Sequence, residues 1–303
     1  MGTALNSVHA PRELGLWEAR KSLLSDYVEL TKPRVNLMVV LTAAVGFYLG
    51  SESVDFLLLV NTLIGTGLLA SGTAVLNQCM ERKADSRMLR TANRPVASGR
   101  IPAAEALVFG MVLVSVGALY LLFFSNYLTA FLGWFTAAVY LLLYTPLKTR
   151  TPVCTLVGAV PGAVPPVMGW VAARGELTIE ALLLFGILFC WQFPHFLAIA
   201  WMYREDYEKG GFKMLPGGES SGIWTGRLIL LFAFFSLIVS FLPARFGIAG
   251  EIYLLGAVVL GAMFVMSGFR VLASLSRPAA RGLLRTSVLY LPLLLVLMAI
   301  DKL

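Results

Sequence analysis

Long apolar runs constrain this chain of 303 residues more than any other feature of its sequence. Nine runs can be distinguished, and each is long enough to cross the hydrocarbon layer of a bilayer, about 30 Å thick, as an α-helix. The chain is 58% hydrophobic and only 14% charged, whereas a soluble domain has about 25% charged residues. The sequence therefore predicts an all-α polytopic membrane protein with nine transmembrane helices. The runs lie at about residues 35–50, 56–78, 104–124, 127–146, 152–173, 178–202, 224–243, 251–269 and 283–300.

Lysine and arginine are distributed unevenly over the segments that join these runs. On the side of the N-terminus lie 21 of them and on the opposite side three, which together are all 24 in the chain. By the positive-inside rule, the N-terminus and the loops after runs 2, 4, 6 and 8 are cytoplasmic. The net charge of +7 is thus explained by topology in a lipid bilayer, and we expect no nucleic-acid partner.

The N-terminal segment of the chain bears on where the protein is located, and the cysteines bear on disulfides and metal sites. Residues 1–30 mix charges with short apolar pieces and contain no apolar core of the signal-peptide kind. We expect them to form a cytoplasmic N-terminal segment, followed by a single transmembrane domain over residues 31–303. The lack of a visible transit peptide favours a bacterial cell inner membrane over a mitochondrion. The three cysteines are not spaced like a disulfide framework or a zinc site.

Two stretches of the chain resemble each other. TKPRVNLMVVLTAAVGFYLG opens the first run and LKTRTPVCTLVGAVPGAVPPVMGW opens the fifth, and in both halves the next helix ends in a charged loop. This predicts two four-helix repeats plus a ninth helix around a central cavity, which both acidic loops face. The prolines and glycines of the fifth run make it irregular. We favour close helix packing there over a broken helix that lines a cavity.

The loop after the second run begins with three oxygen-bearing side chains. Asn77, Glu81 and Asp85 are spaced i, i+4, i+8, so they share one face of a helix. Oxygen atoms are the ligands that Mg²⁺ prefers, and the arginines that follow suit phosphate oxygens. The combination favours a magnesium-bound polyphosphate. The alternative is a solvated loop whose charges only fix topology.

Two more segments carry charges to the same side of the membrane. The loop after the sixth run contains Asp206 between basic residues, and the segment YTPLKTR contains Lys148. Basic residues at such places are also typical of interfacial anchors. Phosphate oxygens are nevertheless the ligands that such groups would bind if the three loops converge. The candidate substrate-binding residues are Arg90, Arg94, Tyr144, Arg150, Arg204 and Lys213.

These motifs resemble those of the UbiA-type intramembrane prenyltransferases and, among them, the protohaem IX farnesyltransferases (haem O synthases). The pattern N-x-x-x-E-x-x-x-D followed by M-x-R-T-x-x-R-P-x-x-x-G-x-I occupies residues 77–101. The resemblance continues through residues 31–35, 144–152, 158–170 and 191–216, and thus covers most of the chain.

The resemblance implies a nine-helix prenyltransferase in which Mg²⁺-bound farnesyl diphosphate lies under the two acidic loops. Asn77, Glu81 and Asp85 fall on the first metal–diphosphate motif, Asp206 on the second, and Tyr144 and Lys148 on the diphosphate-contacting loop. The wider superfamily usually has Asp at the position of Glu81, and a second Asp at that of Met202. The second metal site is therefore incomplete, or it is built with Glu205 or Glu208.

The implied acceptor is haem B, whose vinyl group would attack the farnesyl cation before water completes a hydroxyethylfarnesyl group. Terminal-oxidase assembly proteins are the partners that such a product suggests. Of the two histidines, His195 lies inside the sixth run, eleven residues before Asp206. On a regular helix it would share the face of Asp206 about 16 Å deeper. It would then ligate the haem iron, or else hydrogen-bond a propionate or another helix.

Three rival functions fit parts of this pattern. A sibling enzyme would use the same donor with an aromatic acceptor such as hydroxybenzoate, although the segments WQFPHF and GGFKMLP favour haem by resemblance. A transporter would also have repeats and embedded charges, but transporters place their ionisable groups near the bilayer midplane. Here the charges gather at the membrane boundary. The third rival is a structural subunit that binds haem without chemistry.

Overall fold

The computed structural model describes residues 22–215 and 222–303, which are almost entirely helical. A first helix, α1, covers residues 22–30. The helices that follow are α2 (Pro33–Gly50), α3 (Phe56–Asp85), α4 (Ala103–Phe124), α5 (Tyr127–Ala138), α6 (Thr145–Leu147), α7 (Cys154–Arg174), α8 (Ile179–Met202), α9 (Arg204–Lys209), α10 (Ile223–Val239), α11 (Leu242–Arg245), α12 (Glu251–Ser274) and α13 (Arg277–Ile300). A π-helical turn, Val139–Tyr144, joins α5 to α6.

Within the described ranges, nine helical segments are long and apolar enough to cross a membrane. The predicted fold class and number of spans are confirmed. Three spans differ clearly from their predicted bounds: α3 continues to Asp85, two turns beyond the predicted end, α12 continues to Ser274, and α13 begins at Arg277. Hydropathy marks where apolar sequence stops, whereas the helix continues as long as its backbone hydrogen bonds are made. The arrangement as two four-helix repeats around a cavity stays a prediction.

The helix α7 is the most buried of the spans. It runs unbroken from Cys154 to Arg174 through three prolines, so the expectation of an irregular fifth run is wrong. Its contact with α2 explains the glycines, because a Cβ on Gly169 would collide with the carbonyl oxygen of Ala43. A Cβ on Gly46 would likewise collide with the carbonyl of Pro166. Glycine at these crossing points lets the two backbones approach directly.

The fourth span changes its winding before it ends. The π-helical turn Val139–Tyr144 leads into the three-residue α6. Turns of this kind add a residue to the helix and occur frequently at functional sites. Here the change in winding sets the direction of Tyr144, Thr145 and Lys148, which lie at the same end of the bundle as Asp85. Neither the period nor the composition of the sequence predicted this turn.

The crossing of α2 and α7 gives a first testable prediction. We expect Gly169→Val to lower the free energy of unfolding by about 2 to 3 kcal/mol, because the larger side chain would push two backbones apart. Thermal unfolding of the purified protein in detergent measures this. Gly282→Val in α13 is the matched control, since a Cβ at Gly282 meets no atom within 4 Å. Equal unfolding temperatures for the two variants would contradict the close crossing.

Candidate active site

The last three turns of α3 carry the buried polar residues from which the site is built. Asn77, Glu81 and Asp85 are 1%, 7% and 1% exposed. They lie on one continuous helix, as their spacing predicts. Buried carboxylates are costly unless they are paired and hydrogen-bonded. The other residues of the site supply those partners.

Each carboxylate is paired with a cation from a different loop. Lys148 Nζ, from the segment after α6, lies 2.7 Å from Glu81 Oε1. The guanidinium of Arg94, from the loop after α3, donates to both oxygens of Asp85 at 2.8 and 2.9 Å. These two ion pairs connect α3 to segments on either side of it.

A third cation, Lys32, enters the same cluster from the turn between α1 and α2. Its Nζ donates to Asn77 Oδ1 at 3.1 Å, and it makes no ion pair with any residue in the described ranges. Burial, followed by the charge of Arg94, lowers its pKa to about 7, and Glu81 opposes this only in part. A buried lysine with no carboxylate partner is well suited to receive an anion. We call Lys32, Asn77, Glu81, Asp85, Arg94 and Lys148 the charged cluster.

Lys32 is not among the site residues predicted from the sequence, although it lies in the motif TKPRV. Its position in the sequence could have indicated it as a candidate, because a lysine directly before the proline that begins a span lies at the membrane boundary. The structure adds that Lys32 has a left-handed backbone, with φ of 49°. Such strain in a residue other than glycine is concentrated at functional sites.

Tyr144 and Thr145 complete the surroundings of the cluster. Asn77 Nδ2 donates to Thr145 Oγ1 at 3.1 Å, and Lys148 Nζ lies 4.4 Å from the centroid of the Tyr144 ring. Gly158 makes room for that ring, since a Cβ there would collide with it. Burial lowers the pKa of Lys148, but the nearby oxygens of Tyr144 and Glu81 raise it more strongly. Lys148 therefore stays charged.

Asp206 lies outside the charged cluster and connects two loops instead. Its Oδ1 accepts a hydrogen bond from the backbone N–H of Leu89 at 2.8 Å, and its Oδ2 accepts one from that of Arg90 at 3.3 Å. The loop after α9 is also tied down, since Lys213 N donates to Lys148 O at 2.7 Å. The three charged segments converge as expected. In the described part of the chain, however, no three acidic, histidine or cysteine side chains come close enough to hold a metal together.

The remaining candidates lie around this centre. Arg90 contacts two aromatic rings, with its guanidinium carbon 5.5 Å from the centroids of Tyr203 and Tyr207. Arg204 lies over the ring of Trp201 at 4.6 Å, and Glu205 pairs with Arg277 at 2.6 Å. The structure therefore directs Arg204 and Glu205 away from the charged cluster. Three further side chains are exposed: Arg150, Glu208 and Lys213.

His195 occupies a separate place on the inner side of α8. The helix passes through Pro194 and ends at Met202, and a new helix begins at Arg204. The expectation that His195 and Asp206 share one helix face is therefore wrong, because the helix is interrupted at Tyr203. The imidazole Nδ1 lies 2.8 Å from Ser287 Oγ on α13.

The donor atoms of the cluster suit a hard divalent cation and an anion together. Glu81 Oε1 is buried and faces Lys148 Nζ at 2.7 Å, and a carboxylate oxygen with one such neighbour still has a lone pair for a metal. Asp85 and the amide oxygen of Asn77 add two more oxygen ligands of the kind that Mg²⁺ takes. The three cations are then available to phosphate oxygens. The chemistry of the residues thus fits a magnesium-bound diphosphate.

Comparison with known proteins relates most of the chain to one family. The model of the UbiA prenyltransferase family matches residues 39–296. A protoheme IX farnesyltransferase of Solibacter usitatus (strain Ellin6076) is 48% identical over 289 residues, which cover 92% of this chain and 99% of the relative. A protein of the same description from Koribacter versatilis (strain Ellin345) is 45% identical, with 93% and 94% covered.

Solved structures resemble the chain in fold. A structure of digeranylgeranylglyceryl phosphate synthase superposes with a TM-score of 0.78 at 18% identity, over 92% of this chain and 98% of that one. A UbiA homologue from Archaeoglobus fulgidus, bound to GPP and Mg²⁺, superposes with a TM-score of 0.65 at 15% identity, over 90% and 99%. At these identities the likeness concerns the fold alone.

The pairing of Glu81 with Lys148 can be tested by a double-mutant cycle. Lys148→Met leaves the buried Glu81 carboxylate without its cation, so we expect the free energy of unfolding to fall by about 3 kcal/mol. The double variant Glu81→Gln/Lys148→Met removes both charges and should recover most of that loss. Thermal unfolding of four proteins at one pH, the wild type, Lys148→Met, Glu81→Gln and the double variant, gives the coupling energy. Additive effects would mean that the two side chains do not interact.

Proposed function

Because the chain belongs to the UbiA prenyltransferase family, we propose that it transfers a farnesyl group from farnesyl diphosphate to a vinyl group of haem B. The protein is a multi-pass membrane prenyltransferase. The observation that carries the donor half of the proposal is the charged cluster, in which two buried carboxylates and three cations meet. The acceptor half is supported by relatives that are described as protoheme IX farnesyltransferases.

Donor binding uses both signs of charge in the cluster. Asn77, Glu81 and Asp85 would hold Mg²⁺, which supplies electrostatic stabilisation of the departing diphosphate. Lys148 and Arg94 then exchange their carboxylate partners for phosphate oxygens. Lys32 already lacks a carboxylate partner, so it gains a phosphate contact without losing an ion pair.

Asp206 has a different part in this proposal from the one that the family resemblance implied. Both of its oxygens accept hydrogen bonds from backbone amides of the loop after α3. In the described part of the chain, no second acidic side chain lies beside Asp206 in a group that could hold a metal. We therefore assign to Asp206 the task of clamping α9 onto that loop, which also brings Arg90 beside Tyr203 and Tyr207. The clamp closes the donor site against water.

The proposed reaction depends on neutralisation of the negative charge on the leaving diphosphate. Lys32, Arg94 and Lys148 stabilise the negative charge that develops on the leaving diphosphate, which lowers the barrier to cleavage of the C1–O bond of the farnesyl donor. The vinyl π electrons of the porphyrin form the new carbon–carbon bond. The resulting cation beside the ring adds water and loses one proton, which leaves a hydroxyethylfarnesyl group. The vinyl group is the nucleophile, so the protein needs none of its own.

The orientation of the protein in the membrane follows from the distribution of its lysines and arginines. The basic loops that form the charged cluster belong to the side on which 21 of the 24 lysines and arginines lie. By the positive-inside rule this side is the cytoplasm, where a water-soluble diphosphate headgroup is accessible. We propose that the protein lies in a bacterial inner membrane with its N-terminus in the cytoplasm.

The reaction is tested with the purified full chain in detergent, supplied with haem B, farnesyl diphosphate and Mg²⁺. We expect a new porphyrin whose mass corresponds to haem B plus a farnesyl group and one hydroxyl group. In ¹⁸O-labelled water the product should carry the label in its hydroxyl group. Transfer to an aromatic acid such as hydroxybenzoate, with haem left unchanged, would contradict the proposed acceptor.

Replacing one carboxylate of the cluster should stop the chemistry without unfolding the protein. We expect Asp85→Asn to reduce kcat by about 100-fold or more, because a ligand for the metal and the partner of Arg94 are both lost. Single-turnover assays with saturating haem B measure this. Asp55→Asn at the other end of α3 is the control. Asp55 is a helix N-cap, a position that asparagine also fills well, so this variant should keep full activity.

Lys32 should act on the donor rather than on the acceptor. We expect Lys32→Met to raise the KM for farnesyl diphosphate by about tenfold or more and to leave haem affinity unchanged, because a desolvated charge–phosphate contact is removed. Lys32→Arg should restore part of the loss. Lys209→Met on exposed α9 is the control for net charge. An unchanged KM in Lys32→Met would remove this residue from the donor site.

A further inference from the structure

A groove of about 480 Å³ lies between the last turns of α12 and the first turns of α13. The connection between these helices is held against the end of α8, because Trp201 Nε1 donates to the carbonyl oxygen of Leu275 at 3.0 Å. Arg277, at the start of α13, pairs with Glu205 of α9 at 2.6 Å. The groove therefore lies at the same end of the bundle as the charged cluster.

Arg270 is the only charged residue among the described residues that line this groove. Its guanidinium has no ion pair or hydrogen bond with any residue in the ranges 22–215 and 222–303. The sequence offers no nearby partner either, since no Asp or Glu occurs from residue 252 to residue 300. Phosphate oxygens are the ligands that such a free guanidinium binds best.

The small side chains of both helices leave the space that a ligand would occupy. The groove is lined on α12 by Ser267, Ala273 and Ser274 and on α13 by Ala279, Gly282 and Thr286. Arginines at this end of the bundle are also expected from topology alone. Topology, however, requires only the charges and not a hollow between two helices beside one of them.

Basic pockets between membrane helices, on the side that carries the positive charges, are sites for anionic lipid headgroups. We propose that the groove between α12 and α13 binds an anionic phospholipid, with its phosphate diester at Arg270. The inference goes beyond the proposed function, because it involves neither the donor nor the acceptor.

The charges of the groove favour an anionic lipid over a zwitterionic one. The headgroup of phosphatidylethanolamine carries an ammonium group, which would need a carboxylate partner. Among the described residues that line the groove, none is acidic. Phosphatidylglycerol carries hydroxyl groups in place of the ammonium, and the side-chain oxygens of Ser274 and Thr286 can accept hydrogen bonds from them.

The same two helices offer a surface for the acyl chains. Deeper in the membrane than Arg270, both helices expose large apolar side chains, namely Met263 and Met266 on α12 and Leu289 and Leu293 on α13. Acyl chains below a headgroup at Arg270 would pack on this surface. A soluble phosphate would gain nothing from it, so we assign the groove to a lipid.

The test is native mass spectrometry of the purified full chain in detergent, titrated with phosphatidylglycerol or with phosphatidylethanolamine of the same acyl chains. For the first lipid bound, we expect the wild type to prefer phosphatidylglycerol by about fivefold or more. Arg270→Gln should lose most of this preference, and Arg270→Lys should keep part of it, because the charge remains without the planar fork. Equal binding of the two lipids by the wild type, or an unchanged preference in Arg270→Gln, would overturn the inference.

A matched control separates the groove from net charge. Arg34 is exposed near the start of α2, at the same end of the bundle, and does not line the groove. Arg34→Gln removes the same charge and should keep the preference for phosphatidylglycerol. An equal loss in Arg34→Gln and Arg270→Gln would show that the lipid responds only to the total charge, and the proposed site would be wrong.

A second variant tests the groove without changing any charge. A Cβ at Gly282 meets no atom within 4 Å, so Gly282→Leu should fold and place its side chain in the open space. We expect it to weaken phosphatidylglycerol binding while Arg270 is still present. This variant also decides the matter if Arg270→Gln does not fold, because unchanged phosphatidylglycerol binding in Gly282→Leu would contradict a site between α12 and α13.

Inorganic phosphate distinguishes a lipid site from a site for a soluble anion. At millimolar concentration it should leave phosphatidylglycerol bound, because the acyl chains supply part of the affinity. Displacement of the lipid by inorganic phosphate would overturn the assignment to a lipid.

Discussion

The burial of two carboxylates at the end of α3 is the constraint on which the rest of this end of the protein depends. Glu81 and Asp85 are almost inaccessible to solvent, and uncompensated charges at such positions would destabilise the fold. Their cations come from the loop after α3 and from the segment after α6. The ion pairs that compensate the buried carboxylates also hold in place the loops that carry the cations. They therefore determine the shape of the site as well as the stability of the fold.

The charges of the cluster repel some ligands as well as attracting others. A free diphosphate would meet two carboxylates, and a free divalent cation would meet Lys32, Arg94 and Lys148. The metal-bound diphosphate of the proposed function would present both signs of charge to these residues. In this proposal the ion pairs of the cluster are exchanged for contacts of the same sign, so little reorganisation accompanies binding.

Sequence alone predicted the spans and the helical face of Asn77, Glu81 and Asp85, because both depend on local periodicity. It missed Lys32, since a lysine at a membrane boundary is ordinarily an anchor, and only the packing of α1 and α2 on α3 turns it inward. The π-helical turn Val139–Tyr144 was also missed, because it is set by tertiary packing rather than by residue preference. The expected link between His195 and Asp206 failed for a local reason, the interruption of the helix at Tyr203.

The two proposed substrates are held by different kinds of structure, and this difference follows from what each must do. A diphosphate has to enter and leave, so its ligands include loop residues joined by exchangeable ion pairs and backbone contacts. A porphyrin has to present one vinyl group at a fixed place, and the acceptor-side candidate His195 is held between α8 and α13 by Ser287 and Trp191. Asp206 connects the two regions, because α9 follows directly from α8 and hydrogen-bonds to the loop that supplies Arg94. The loop proposed to bind the donor is therefore joined through Asp206 and α9 to the helix that carries His195.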